Sequence, residues 1–118
     1  AVLPVDTSVR HWHASPRSAA SFLVQAASLS QQDFNGRRAL NRPGVSCTVE
    51  EQIEALRAIA GEDVVKLIKP EPNPDIIKIV SGWPRNCNPE RAVSLGFKAE
   101  QDFAEIIRIY IEDDLPKT

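Results

Sequence analysis

Apolar residues return at intervals of three and four along three stretches of this chain and at an interval of two along one. Ala19, Phe22, Leu23, Ala26 and Leu29 form the first helical stripe, with Arg17, Ser21, Gln25 and Ser28 elsewhere on the wheel. Val49, Ile53, Leu56 and Ile59 or Ala60 form the second. Phe103, Ile106, Ile107, Tyr110 and Ile111 form the third and most regular one. Val45-Ser46-Cys47-Thr48 alternates instead, as a half-buried strand does.

Punctuation sets the limits of these elements. Ser15-Pro16 places a capping hydroxyl before a residue with no amide to leave unpaired, so a helix starts there and runs to about Leu29. Thr48-Val49-Glu50-Glu51 has the spacing of a capping box, and Gly61 can take the left-handed conformation that ends the helix at about Ala60. Asn73-Pro74 starts a short helix closed by Gly82, and Asn88-Pro89 another that ends at Leu95-Gly96. The compact apolar run Val64, Val65, Leu67 and Ile68 predicts a strand over about Val64 to Lys69. Val2 to Val5, with Pro4 inside it, suits an edge strand or extended lead-in. Residues 30–43 are polar and carry the turn signals Asn35-Gly36 and Pro43-Gly44, which predicts a surface connection. Glu100 and Asp102 fall where the dipole of the last helix favours acids. The fold class is α/β, in the form of a small, mostly helical lobe with a few short strands.

With 118 residues there is room for one domain. A hydrophobic share of 42% with 25% charged residues fits a folded, soluble segment, and a net charge of −2 with interspersed signs gives no footprint for nucleic acid or an anionic membrane. No stretch is long and apolar enough for a transmembrane span, and none has the form of a secretory signal. Cys47 and Cys87 stand far apart and outside any Cys-x-x-Cys pattern, so they read as reduced, buried thiols of a cytoplasmic protein.

Several chemistries are missing from the sequence. The five glycines lie too far apart for a glycine-rich phosphate loop, and Tyr110 has Asp114 rather than Lys four positions on. His11-Trp12-His13 would put two imidazoles on one side of a strand, but a zinc site needs a third ligand and none is near in sequence. Neither cysteine has the base a nucleophile requires. Glu50-Glu51 and Asp113-Asp114 read as solvated surface. Three arginines hold more interest. Arg17 lies in the first turn of a helix, Arg85 follows the stiff Gly82-Trp83-Pro84 step, and Arg91 opens the next helical stretch. A guanidinium fork pairs bidentately with carboxylate or phosphate, although an exposed arginine more often only caps or pairs locally.

In order along the chain, Ser15-Pro16-Arg17, Leu40 through Ser46, Gly82-Trp83-Pro84-Arg85 and Arg91 through Leu95-Gly96-Phe97 resemble the C-terminal third of extended short-chain dehydrogenases/reductases of the NAD-dependent epimerase/dehydratase family, and most narrowly their D-erythronate dehydrogenase group. The resemblance covers nearly the whole chain. It implies a single C-terminal substrate-binding lobe over residues 1–118, cut from a Rossmann-type protein whose N-terminal NAD-binding domain is absent from this chain. The first residue, Ala1, and the lack of any Met agree with a segment that starts mid-fold.

What the resemblance implies for function follows from that division. The parent would be a cytoplasmic homodimer that uses NAD to oxidise a short sugar acid at a secondary alcohol. This segment would bind no cofactor and no metal, would hold no catalytic residue, and would be inactive alone. Arg85 matches the loop that lends an arginine to an anionic substrate, and Arg17 matches the start of the first helix at the cleft mouth; these are the expected substrate-binding residues. The expected partners are the sugar acid and the missing Rossmann domain, with no nucleic acid or membrane. Two rivals stand beside this reading: the lobe of a nucleotide-sugar epimerase or dehydratase, and a free-standing interaction module built around Trp12 or Trp83.

Overall fold

Side-chain caps decide where the helices begin. In the computed structural model, which describes residues 1–117, the Ser15 hydroxyl accepts from the Ser18 amide and opens α1, Pro16–Ser28. Thr48 and Glu51 form the full reciprocal capping box at the head of α2, Val49–Ala60. The Asn73 side chain accepts from Asp75 and Ile76 ahead of α4, Pro74–Val80, and Asp102 accepts from Glu105 at the head of α6, Phe103–Asp113. Two further helices are short: α3, Glu62–Val65, and α5, Glu90–Ser94. Gly61 lies at φ +85°, a conformation that costs glycine little, and this reorients the chain between α2 and α3.

The strands make two separate ribbons. β2, Arg10–His13, pairs antiparallel with β3, Val45–Thr48, with His11 opposite Cys47 and His13 opposite Val45. β1, Val2–Leu3, pairs in parallel with β4, Lys69–Pro70. The lobe is thus α/β and mostly helical, with a few short strands, as the sequence predicts. α6 packs along α2, and α2 follows directly from β3. A second centre of packing joins Phe22 of α1 to Ala92 and Phe97, with Ala26, Leu29, Leu40, Leu95 and Ala99 around it. No helix among the described residues is long and apolar enough to cross a membrane.

Two elements differ from the sequence reading. The stretch predicted as a strand over Val64 to Lys69 is helical over Glu62–Val65 and then turns, with Leu67 N–H bonded to the Val64 carbonyl and Ile68 N–H to that of Val65. Glu62 and Asp63 sit in the helical first turn where the dipole favours them, and Lys66 reaches back to Asp63 at 3.0 Å. Extended pairing begins only at Lys69, beside the prolines at 70 and 72. In α6 the deepest residue is Ile109, outside the expected stripe, while Tyr110 and Ile111 are exposed. Residues 103, 104, 106, 107, 109, 110 and 111 are all apolar or aromatic, so the period alone does not select the buried face.

Asn35 and Gly36 both have positive φ and are closed by the Arg37 amide on the Phe34 carbonyl at 2.9 Å, the geometry of a mirror-image tight turn. Gly44 answers to a different need. A Cβ there would fall 2.7 Å from the His13 carbonyl and from Trp12 Nε1, so the loop can enter β3 only as glycine.

Candidate functional site

The loop from Gly82 to Asn88 is held against the β2–β3 ribbon at two points. Ser46 Oγ donates to the Arg85 carbonyl at 2.8 Å, and the Trp83 ring lies 5.4 Å from the His11 ring. Arg85 thereby lines a cleft of about 320 Å³ whose other walls include Val5, Asp6, His11, Ile77 and Ser81. Among the described residues no hydrogen bond or ion pair engages the Arg85 guanidinium. Asp6 uses Oδ1 to accept from the Ser8 amide at 2.8 Å, and the Ser8 hydroxyl first and this amide second hold its carboxyl below the usual range. The cleft therefore joins two cations, Arg85 and the Arg10 that is already engaged by Ser46 and Glu51, with an imidazole and the Asp6 carboxylate on partly apolar walls, and the free cation suits a small polar anion.

Arg17 is elsewhere. Its fork grips Asp113 through Nε at 2.9 Å and Nη2 at 2.6 Å, and Nη2 also reaches Glu112 at 3.0 Å. These contacts tie the start of α1 to the end of α6, and they push the Arg17 pKa up and the Asp113 pKa down. The two arginines expected to bind substrate are not brought to one cleft, and an anion at Arg17 would compete with two carboxylates. Arg91 spends its donors on main-chain carbonyls of the surface connection: Phe34, Arg37 at 2.8 Å and Ala39 at 3.3 Å.

His11 and His13 do lie on one strand, with rings 6.2 Å apart. His13 turns away from the cleft toward Phe103, at 5.4 Å, and its Nε2 lies 3.1 Å from Gln52 Nε2. Burial, with the nearby His11, lowers its pKa, so a neutral ring meets that amide. No group of three or more metal-ligating side chains exists among the described residues. Cys47 is buried and its thiol is pushed up, mainly by that burial; Cys87 is half-buried beside Trp12 and Phe22.

Glu100 is the residue whose role the sequence concealed. It does not sit in the first turn of α6 but folds back under α1, 5% exposed, where it accepts from the Ser15 hydroxyl, the Ser15 amide at 3.3 Å and the Ser18 hydroxyl at 2.8 Å. Burial alone would raise its pKa, yet these hydrogen bonds together hold it below the usual range. Asp6 in the cleft wall carries no signal in the sequence either, since it lies seventy-nine positions from Arg85 and only the fold brings them to one hollow. A larger hollow of about 480 Å³ is lined by Gln31, Phe34, Gly36 and Arg38, a loop tip with no acid–base pair.

No family model matches the chain. It is 40% identical over 110 residues to D-erythronate dehydrogenase of Cupriavidus necator, covering 93% of this chain and 34% of that protein. It is 32% identical over 115 residues to D-erythronate dehydrogenase of Haemophilus influenzae, covering 98% of this chain and 36% of that one. The fold superposes with a TM-score of 0.93 and 53% identity on the crystal structure of a nucleoside-diphosphate-sugar epimerase from Agrobacterium tumefaciens, over 97% of this chain and 33% of that one. The chain thus spans about a third of the length of the relatives it matches. In sequence and in fold alike, the chain is similar to a C-terminal portion of proteins like the short-chain dehydrogenases/reductases, represented here by two D-erythronate dehydrogenases and a nucleoside-diphosphate-sugar epimerase.

Proposed function

We propose that this chain is the substrate-binding lobe of an NAD-dependent oxidoreductase that oxidises a short sugar acid, with Arg85 as the residue that grips the acid's carboxylate. The observation that carries this reading is the unengaged Arg85 guanidinium in a cleft of about 320 Å³. That volume is at the small end of ligand pockets, which run from about 300 to 1,000 Å³. The D-erythronate dehydrogenase relatives point to a four-carbon hydroxy acid. The likeness to the epimerase supports the second reading, a lobe that covers a nucleotide sugar.

The reading gives this chain binding and orientation only. NAD and the proton-transfer residues would belong to a preceding domain, and the parent would be a cytoplasmic homodimer. Arg17 enters as the tie between α1 and α6, and its contact with substrate would require release of Asp113.

The test is Arg85→Ala in the gene product that carries this chain. A lost charge-assisted hydrogen bond should lower kcat/KM for the acid by about ten- to a hundredfold, mainly through KM. The KM for NAD should stay where it was. Unchanged kinetics for the acid would show that Arg85 is only a loop residue.

A further inference from the structure

We propose that His11 is a second substrate contact, which reads the hydroxyl group next to the carboxylate held by Arg85; the inference rests on the reading of Arg85 given above. Three observations carry it. His11 lines the same cleft as Arg85. Its ring is fixed 5.4 Å from Trp83, two positions before Arg85, so imidazole and guanidinium belong to one stiff wall. Of the two histidines on β2, His13 is occupied by Gln52 and Phe103, whereas His11 has no hydrogen-bond partner among the described residues.

An imidazole suits a hydroxyl because one ring nitrogen donates and the other accepts. A guanidinium fork fixes a carboxylate in a plane, and a hydroxyl on the adjacent carbon then lies within a narrow range of positions. One further group on the same wall can test for it. Arg85 would thus select acids in general, and His11 would select 2-hydroxy acids among them.

The experiment compares 2-hydroxybutanoate with butanoate as competitive ligands of the gene product that carries this chain. The unaltered protein should bind the hydroxy acid about tenfold more tightly, the worth of one hydrogen bond in a site. His11→Phe keeps a ring against Trp83 and should abolish that preference while leaving butanoate affinity unchanged. His11→Gln, which keeps a donor and an acceptor, should restore most of it. Absence of any preference in the unaltered protein overturns the inference, as does equal weakening of both acids by His11→Phe, which would make His11 a positioning residue for the Trp83 loop. Arg85→Ala separates the two readings. Equal loss of both acids supports the carboxylate site whatever His11 does, while no loss of either overturns that site and this inference with it.

Discussion

Glu100 is a carboxylate surrounded by donors, and it joins the head of α1 to the approach of α6 through Ser15 and Ser18. Its folded pKa is held below the ordinary 4.5, and that of His13 below the ordinary 6.5. In both cases the unfolded chain binds more protons than the folded one, so stability rises with pH across these windows. It should be fully present above pH 6.5, fall first as His13 protonates, and fall further below 4.5 as Glu100 does. Urea titrations at a series of pH values should show both limbs. Glu100→Gln should lower stability by about 1–3 kcal/mol at neutral pH and flatten the lower limb, because the Ser15 donors lose a charged acceptor. An unchanged lower limb would assign the acid loss to other carboxylates. None of this is legible in the sequence: Glu100 stands two residues before an N-cap, where the pattern assigns it to that helix start, whereas its partners lie 82 and 85 positions away.

Elements were more legible than residues wherever a cap named the boundary. Ser15-Pro16, the Thr48–Glu51 box and Asn73-Pro74 each act through atoms within three residues, so the sequence alone contains the whole interaction. The run from Val64 to Ile68 contains no such cap, and its conformation depends on Gly61 before it and on the two-residue ladder to β1 after it. The surface connection shows a third case. Arg91 holds it through the carbonyls of residues 34, 37 and 39, acceptors that every residue possesses. Its path should therefore tolerate any side chains at 37–39, but not loss of the guanidinium. A library randomised at Arg37, Arg38 and Ala39 should keep the melting temperature of the parent chain, while Arg91→Ala should lower it and speed cleavage of the connection by a nonspecific protease. Equal sensitivity of both would make the side chains, not the staple, the determinant.

The whole molecule spreads further than its mass requires. Its accessible area is 8319 Å², against about 6,300 Å² for a folded monomer of 13.0 kDa, and its radius of gyration is 16.6 Å, against about 13–14 Å. The excess of roughly 2,000 Å² exceeds the ~800 Å² that one partner contributes to a standard interface. Much of the exposed surface is apolar: Leu23 and Val24 on α1, Ile76, Ile77 and Ile79 on α4. Expressed alone, the chain should melt broadly and self-associate with rising concentration. A sharp melt with a monomeric scattering mass at all concentrations would contradict that. The molecule measures 50 × 38 × 19 Å, and its least extent is only about two helix diameters. A plate of that kind resists stretching but bends easily, because flexural stiffness rises steeply with thickness. The cleft beside Arg85 opens on such a plate, so the distance between its walls is governed by whatever backs the sheet of helices, and support far from the cleft acts on it as a brace acts on a hinge.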